Sequence, residues 1–327
     1  MNTRTLGDLR VSALGYGAMV LVHGMYGDND DDRSVDTLRH AIDAGAFFID
    51  TSDGYGPDGH NERLVGRAIE DRDDAVVATK WGIVLEPGST AHKVEASFAN
   101  EIWVDARPER AREAAEASLE RLGVEALDLW YLHFPDPEVP VEETVGAMGE
   151  LVGEGKVRHL GLCNATTEQV QAAHQAHPLA AVQVEYSLWT RDPERELLAV
   201  LGELGIGLTA WGPLGNGFLA GSADSIGAAG DDFRNNAPRF QPDNLAANRD
   251  RFAPLRGVAE ELELTPAQLA LAWLLHQGDH IVPIPGTRTP SHLDENLAAA
   301  DVTLDAETLA RIDDIAPAGA AAGAALL

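Results

Sequence analysis

Asp50, Lys80 and His133 each follow a short apolar run, and Tyr55 lies five residues beyond Asp50 between two glycines. These four residue types can carry acid–base chemistry together. A free tyrosine has a pKa of about 10, so proton donation near neutral pH needs assistance. A lysine ammonium close to the hydroxyl stabilises the tyrosinate, and a carboxylate keeps that lysine charged and in place. We therefore predict that Tyr55 is a general acid and that His133 orients a carbonyl oxygen opposite it.

Each of these residues also has an ordinary structural explanation when it is taken alone. Asp50 could cap a turn, and Lys80 could be a solvated lysine at a strand end. A histidine after an apolar strand is more often a core residue than a catalyst, and a tyrosine flanked by glycines is usually a partly exposed aromatic. Only the four residues taken together favour a catalytic site. The scarcity of lysine strengthens this interpretation. The chain has three lysines: Lys80, Lys93 and Lys156.

The elements that would position these side chains alternate between strand and helix patterns. Eight short apolar runs are typical of buried parallel strands: Ala13–Tyr16, Phe47–Ile49, Ala75–Thr79, Leu127–Leu132, Val157–Leu162, Val182–Val184, Gly207–Ala210 and Ile281–Ile284. Amphipathic stretches predict helices at Val35–Ala44, Glu62–Glu70, Pro108–Leu122, Thr144–Glu154, Thr167–Gln175 and Glu194–Leu204. This alternation predicts an α/β fold, a closed (β/α)₈ TIM barrel whose active site lies at the carboxyl ends of the strands.

The competing fold is a doubly wound sheet that binds a dinucleotide. Such a sheet normally opens with G-x-G-x-x-G after its first strand. Here the residues after the first strand, Gly15–Val20, lack the third glycine. The barrel is therefore the favoured fold, as a single domain over residues 1–327.

Four segments lie outside the repeat. Thr3–Ser12 predicts an N-terminal β-hairpin that closes the bottom of the barrel. Long loops are expected after the third strand, at Leu85–Val104, and after the seventh, at Gly212–Gln241. Long loops in a compact domain are often functional. The tail at 317–327 is rich in alanine and glycine and is expected to be flexible.

Composition excludes several classes of function. The 327 residues carry a formal charge of −29, which argues against nucleic acid as a partner because phosphate binding needs a basic face. No apolar run reaches 18 residues, so no membrane span is expected. The N-terminus has no signal-like segment, and the single cysteine, Cys163, fits a reducing compartment, so we expect a cytoplasmic protein. No metal site is predicted, because the histidines lack the spacing of ligands.

Five sets of motifs together resemble the aldo-keto reductases. They are FIDTSDGYG (48–56), NERLVGRAI (61–69), ATK (78–80), LHFPDP (132–137), and IPGTR with ENLAAA (284–288 and 295–300). The likeness runs from about Thr3 to Ile315. Two further stretches, QVEYSLWTRDPE (183–194) and DDFRNNAPRFQ (231–241), resemble the branch of smaller bacterial and fungal reductases of aldehydes, ketones and dicarbonyls. The resemblance implies a barrel that binds NAD(P)H in an extended form and a catalytic tetrad of Asp50, Tyr55, Lys80 and His133.

The resemblance also implies a set of cofactor contacts along the strand ends and two loops. They are Gly17, Met19, Cys163, Asn164, Gln183, Trp211, Gly212, Pro213, Leu214, Gly215, Asn216, Gly217, Leu219, Gly286, Thr287, Arg288, His292, Glu295 and Asn296. Arg288 matches the geometry of a 2′-phosphate, which favours NADPH, with NADH as the alternative. At Cys163 and Gly212 the family often has serine, and at His292 many relatives have arginine.

The predicted function is NADPH-dependent reduction of a small carbonyl compound. Four aromatic residues on loops after strands are candidates for the substrate pocket: Tyr26, Trp81, Phe134 and Trp189. Each could equally be a packing residue. The alternative function is a regulatory NADPH-binding subunit with negligible turnover. The sequence leaves both a monomer and a homo-oligomer open.

Overall fold

The computed structural model describes residues 2–97, 99–221 and 232–326. Its strands are β1 (Thr3–Leu6), β2 (Leu9–Ser12), β3 (Tyr16–Gly17), β4 (Phe48–Asp50), β5 (Val76–Trp81), β6 (His92–Ala96), β7 (Ala99–Val104), β8 (Leu127–Leu132), β9 (Val157–Cys163), β10 (Ala181–Glu185), β11 (Gly207–Trp211) and β12 (Ile281–Pro283). Its α-helices are α1 (Asp31–Asp43), α2 (His60–Ile69), α3 (Ala111–Leu122), α4 (Val141–Gly153), α5 (Thr167–Ala176), α6 (Leu197–Leu204), α7 (Pro242–Phe252), α8 (Pro254–Glu261), α9 (Pro266–Leu275), α10 (Pro290–Ala298) and α11 (Ala306–Ile315).

Eight parallel strands form the barrel predicted from the sequence. Their order is β3, β4, β5, β8, β9, β10, β11 and β12. Backbone N–H groups close the ring between its first and last strands: Gly15 donates to Pro283 O at 2.9 Å, and Gly17 donates to Pro285 O at 3.3 Å. A Cβ atom at position 17 would lie 2.7 Å from Ile284 O, so this close approach requires glycine. The fold is a (β/α)₈ barrel.

The N-terminal hairpin forms as predicted and covers the bottom of the barrel. Strand β1 pairs with β2 in antiparallel register from Thr3–Ser12 to Leu6–Leu9. Leu6, Leu9 and Val11 are buried in a small apolar cluster with residues of the barrel strands. The larger core lies between the sheet and the surrounding helices. The hairpin thus closes the barrel at the end opposite the carboxyl ends of its strands.

Local sequence signals fix the ends of several helices. Thr166 accepts a hydrogen bond from the backbone N–H of Gln169, whose side chain accepts from the N–H of Thr166, which is a complete capping box for α5. Thr265 and Gln268 form the same arrangement at α9. Helix α3 ends at Gly123, which adopts a left-handed conformation with a φ of 70°. Among the described helices, none is both long enough and apolar enough to cross a bilayer.

Two predicted segments differ from expectation. The stretch Leu85–Val104 contains an antiparallel hairpin, β6–β7, where we predicted a loop. The tail, which we expected to be flexible, packs on the barrel: Asn248 and the backbone of Ala322 exchange two hydrogen bonds, of 3.0 and 2.7 Å. Of the predicted loop Gly212–Gln241, residues 222–231 lie outside the described part of the chain.

Candidate active site

A cavity of about 850 Å³ opens at the carboxyl ends of the barrel strands. Its floor includes Asp50, Tyr55 and His133. From there it extends past Trp211 toward α10, where Asn296 lines it. This volume is in the range of sites that hold drug-sized ligands and cofactors. The predicted catalytic residues therefore lie at one end of an elongated cavity.

Lys80 is the centre of the polar cluster on this floor. Its side chain is fully buried, and its ammonium donates to Asp50 Oδ1 at 2.5 Å, to the Thr51 carbonyl at 2.7 Å and to the Tyr55 hydroxyl at 3.2 Å. The Tyr55 ring packs edge-on against His133, with ring centroids 5.6 Å apart. The structure thus brings together all four residues of the predicted tetrad.

Burial and charge decide the protonation states in this cluster. Burial would lower the pKa of Lys80, but the charge of Asp50, the neighbouring Tyr55 and Cys163 and the hydrogen bond to Asp50 together outweigh it, so the pKa of Lys80 is raised and the amine stays protonated. Burial raises the pKa of Tyr55 to about 12, although the Lys80 charge opposes that rise. Burial, with the Lys80 charge, holds the pKa of His133 well below 6.5. The floor therefore holds a neutral phenol, a neutral imidazole and a charged lysine.

The loop that carries Tyr55 is held by residues of the motif NERLVGRAI. Asn61 accepts a hydrogen bond from Thr51 Oγ1 at 2.7 Å and donates to the Ala18 carbonyl at 3.0 Å. The Asn61 backbone N–H donates to the Tyr55 carbonyl at 3.1 Å. The sequence analysis gave Asn61 no role, although the motif that contains it was visible. Its side chain joins the loop after β4 to the loop after β3.

Glu62, the next residue, fixes the strand that carries Lys80. It is fully buried and accepts from Thr79 Oγ1 and from Arg121 Nε, each at 2.5 Å. The Thr79 side chain points away from that of Lys80, because neighbours on a strand face opposite sides. Glu62 therefore supports the strand from its helix side and does not touch the cavity.

The residues predicted at the nicotinamide end lie beside the tetrad. Gln183 donates to Asp50 Oδ2 at 2.7 Å. Asn164 donates to the His133 carbonyl at 3.2 Å and accepts from Trp211 Nε1 at 3.1 Å. Asn164, Gln183 and Trp211 all line the cavity. The amide groups of Asn164 and Gln183 form a polar wall next to Asp50 and His133.

Cys163 differs from its neighbours, because it is not among the residues that line the cavity. Its side chain is buried inside the barrel, and burial raises the pKa of the thiol far above its usual value. A direct cofactor contact through this side chain is not supported by its position.

The loop after β11 brings three residues with left-handed backbone to the cavity. Gly212, Asn216 and Gly217 have positive φ values of 61°, 53° and 96°, and all three line the cavity. The predicted contacts Pro213 and Leu214 line it as well. Gly215 and Leu219 are not part of the lining, and Leu219 is buried behind the loop.

The far end of the cavity contains the residues predicted to hold the adenosine half. Gly17, Met19, Gly286, Thr287, Arg288, His292, Glu295 and Asn296 all line it. The Arg288 guanidinium donates to the carbonyls of Tyr26 at 2.8 Å and Asp28 at 2.9 Å. These two bonds use two of its five N–H groups and tie the loop after β3 to this end of the cavity.

Comparison with known proteins decides the family. A model of the Aldo/keto reductase family matches residues 13–317. The chain belongs to this family. It is 41% identical over 316 residues to the probable aldo-keto reductase 1 of Glycine max, a match that covers 96% of this chain and 88% of the relative. As a member of the family, the protein is an NAD(P)H-dependent oxidoreductase.

Solved structures of other aldo/keto reductases share its fold. The glycerol dehydrogenase of Gluconobacter oxydans superposes with a TM-score of 0.82 at 31% identity, covering 96% of this chain and 94% of that one. An aldo/keto reductase from Klebsiella pneumoniae, solved in complex with NADP and acetate, gives a TM-score of 0.72 at 28% identity, covering 97% and 96%. The predicted family and barrel fold are confirmed.

Of the four aromatic residues predicted to contact the substrate of this reductase, two line the cavity and two do not. Tyr26 and Phe134 line the cavity, and Phe134 stacks on His133 with an interplanar angle of 15°. Trp81 and Trp189 do not line it. Trp81 is fully buried and stacks on Trp130.

Trp189 supports the loop after β11 from behind. It stacks on Phe218 with ring centroids 4.2 Å apart, and a Cβ atom at Gly215 would lie 2.7 Å from its ring. We therefore regard Trp189 as a packing residue of that loop.

The apolar wall of the cavity includes residues that the sequence analysis missed. They are Ile83, Val84, Ile102, Trp103 and Leu326. Leu326 is held through its backbone: its carbonyl accepts from Ser97 N and Oγ, each at 2.9 Å, and its N–H donates to Glu185 Oε2 at 3.3 Å. The tail and the β6–β7 hairpin thus meet over one side of the cavity.

Proposed function

We propose that this aldo/keto reductase is an NADPH-dependent carbonyl reductase in which Tyr55 is the general acid. The observation that carries the proposal is the Tyr55 hydroxyl, which lies 3.2 Å from the Lys80 ammonium on the floor of an open cavity. A phenol in contact with a buried cation can lose its proton at lower cost than one in an apolar site alone.

Tyr55 and Lys80 act as a pair in this mechanism. With a pKa of about 12, the phenol is protonated at neutral pH and ready to donate. As the proton passes to the oxygen of a carbonyl substrate, negative charge develops on the Tyr55 oxygen. Lys80 stabilises that charge, and Asp50 and the Thr51 carbonyl prevent the ammonium from moving away.

His133 orients the substrate rather than supplying charge. Its Nδ1 lies 3.1 Å from Ser52 Oγ, which leaves Nε2 as the ring nitrogen for a ligand. Because the pKa of His133 is well below 6.5, the ring is neutral at physiological pH, and Nε2 carries either an N–H donor or a lone pair according to the tautomer. A neutral donor beside Tyr55 fits a role in holding the carbonyl oxygen.

The residues along the cavity fit a nicotinamide dinucleotide. The amides of Asn164 and Gln183 match a carboxamide, the indole of Trp211 offers a stacking surface, and the glycine-rich loop 212–217 allows a pyrophosphate to approach the backbone closely. Arg288 at the far end would pair with a 2′-phosphate. When bound, the reduced nicotinamide supplies the hydride.

The test is NADPH oxidation with a panel of aldehydes, ketones and dicarbonyls. We expect Tyr55→Phe to bind NADPH as wild type does but to reduce carbonyls at least about a hundredfold more slowly, because a general acid is lost. Tyr186→Phe is the matched control, since that hydroxyl is bonded to Glu194 and is not part of the cavity lining. Equal activity of Tyr55→Phe and wild type would contradict the mechanism.

Tight NADPH binding by wild type without turnover of any carbonyl would contradict reduction and favour a regulatory role. The same assay with NADH measures the cofactor preference.

A further inference from the structure

Two histidines and an aspartate meet outside the cavity, on the same face of the barrel. His23 lies in the loop after β3, Asp31 is the first residue of α1, and His60 is the first residue of α2. His23 Nε2 lies 3.0 Å from Asp31 Oδ1, and His60 Nε2 lies 3.0 Å from Asp31 Oδ2. One ligand atom from each residue falls within 4.8 Å of the other two.

This donor set suits a divalent transition-metal ion. Imidazole nitrogen is a preferred ligand of Zn²⁺, Ni²⁺ and Co²⁺, and a single carboxylate completes a three-ligand face that leaves positions open for water. With metal–ligand bonds of about 2.0–2.1 Å and tetrahedral angles, two ligand atoms of one ion lie about 3.3 Å apart. The two contacts of 3.0 Å are close to that separation, but each goes to a different oxygen of Asp31. One ligand atom from each residue lies within 4.8 Å of the others, so rotation of the side chains would bring all three to one ion.

We propose that His23, Asp31 and His60 form a binding site for one divalent transition-metal ion, with Zn²⁺ as the first candidate. No metal site was predicted from the sequence, because the histidines lack the short, regular spacing of ligands. Here the ligands lie 8 and 29 positions apart and come from three separate segments. Only the barrel brings them together.

The surroundings of the cluster are accessible and acidic. The side chains of His23, Asp31 and His60 are 49%, 40% and 27% exposed, so an ion can enter from solvent. Asp30 and Asp32 flank Asp31 on a chain whose formal charge is −29. The dipole of α1 disfavours a cation at this end of the helix, and these neighbouring carboxylates oppose that effect.

An ion at this site would join segments that form the rim of the cavity. The loop that contains His23 continues to Met25 and Tyr26, which line the cavity. His60 lies five residues beyond Tyr55, and the Tyr55 carbonyl is bonded to the next residue, Asn61. The ion would therefore restrain two rim loops without touching the tetrad. The proposal does not depend on carbonyl reduction.

Calorimetric titration of Zn²⁺ into the chelator-treated full chain, without a histidine tag, tests the site. We expect one ion per chain, and we expect His23→Gln, Asp31→Asn and His60→Gln each to weaken binding at least about tenfold. His40→Gln is the matched control, because His40 also contacts one aspartate, Asp294, at 2.7 Å on the surface but has no second histidine beside it. No uptake of Zn²⁺ by wild type, or equal weakening by His40→Gln and His60→Gln, would overturn the proposal.

Thermal unfolding supplies a second readout that does not involve activity. A ligand that binds only the native state raises the melting temperature. Zn²⁺ at a concentration that just saturates wild type should raise the melting temperature of wild type and of His40→Gln by the same amount and that of His60→Gln by clearly less. A rise of the same size in all three proteins would place the ion elsewhere and overturn the site.

Discussion

The floor of the cavity and its walls are built in different ways. On the floor, Asp50 and Lys80 stand at the ends of neighbouring parallel strands and are almost completely buried. Each polar group there has a partner on the sheet or on the loop next to it. The apolar wall comes from the β6–β7 hairpin, the loop after β3 and the tail. In this barrel the sheet places the buried charges, and loops shape the pocket.

The two parts also differ in which segments supply their contacts. Lys80 makes three hydrogen bonds within the floor. Leu326 is held in the wall by contacts with Ser97 and Glu185, which belong to two other segments. We therefore expect changes in the floor to abolish turnover and changes in the wall to alter which carbonyl is accepted.

The largest effect is expected for Lys80→Met, which removes the cation beside Tyr55. Turnover should fall at least about a hundredfold, because the developing tyrosinate loses its partner. The variant should also lose about 3–5 kcal/mol of stability, because Asp50 is left as an unpaired buried charge. Steady-state kinetics and thermal melting measure the two effects.

A double variant separates the chemical role of Lys80 from its structural role. In Asp50→Asn/Lys80→Met no buried charge is left unpaired, so stability should recover while activity stays low. Lys156→Met, on the surface, is the control and should change neither quantity. If Lys80→Met folds and its turnover is within about tenfold of that of wild type, the claim that changes in the floor abolish turnover is wrong.

A moderate effect is expected for Leu326→Ala in the wall. Truncation keeps the backbone bonds of the tail and removes apolar contact, so kcat/KM for bulky apolar carbonyls should fall about tenfold, in line with about 1–3 kcal/mol for such a loss. Small aldehydes should be affected much less. Leu262→Ala, an exposed leucine outside the cavity lining, is the control. An equal loss for large and small substrates would show that the tail supports the floor as well.

The smallest effect is expected from pH. Because burial raises the pKa of Tyr55 to about 12, the phenol keeps its proton below that value and loses its acid role only as the pH rises toward it. The pKa of His133 lies well below 6.5, so the ring stays neutral above that pH. The kcat/KM for reduction should therefore vary by less than about threefold between about pH 6.5 and 9. A steep limb inside this range would place a different group in the role of acid.

The floor could be predicted from the sequence because its signals are local. A strand is recognised from a few consecutive residues, and a barrel brings all its strand ends to one face. The wall could not, because it depends on long-range contacts such as that between Ser97 and Leu326, which are 229 positions apart. The cluster of His23, Asp31 and His60 was missed for the same reason.

The placement of Trp81 could have been predicted. Neighbouring residues on a strand face opposite sides of the sheet, so a Lys80 that points into the barrel requires Trp81 to point toward the helices. The pKa of Tyr55, in contrast, could not have been predicted from the sequence. Its tyrosine–lysine pairing was predicted, but burial outweighs the lysine and raises the pKa above 10, and burial cannot be read from the motif alone.

The burial of Lys80 has a practical consequence for attaching the protein to a solid support. Amine-reactive chemistry cannot reach Lys80, which leaves Lys93 and Lys156 as the accessible lysine side chains, 43% and 30% exposed. Lys93 lies on the hairpin beside the cavity, whereas Lys156 precedes β9 at the closed end of the barrel. Coupling through Lys156 would point the cavity away from the surface, and Lys93→Arg would direct lysine coupling to that orientation.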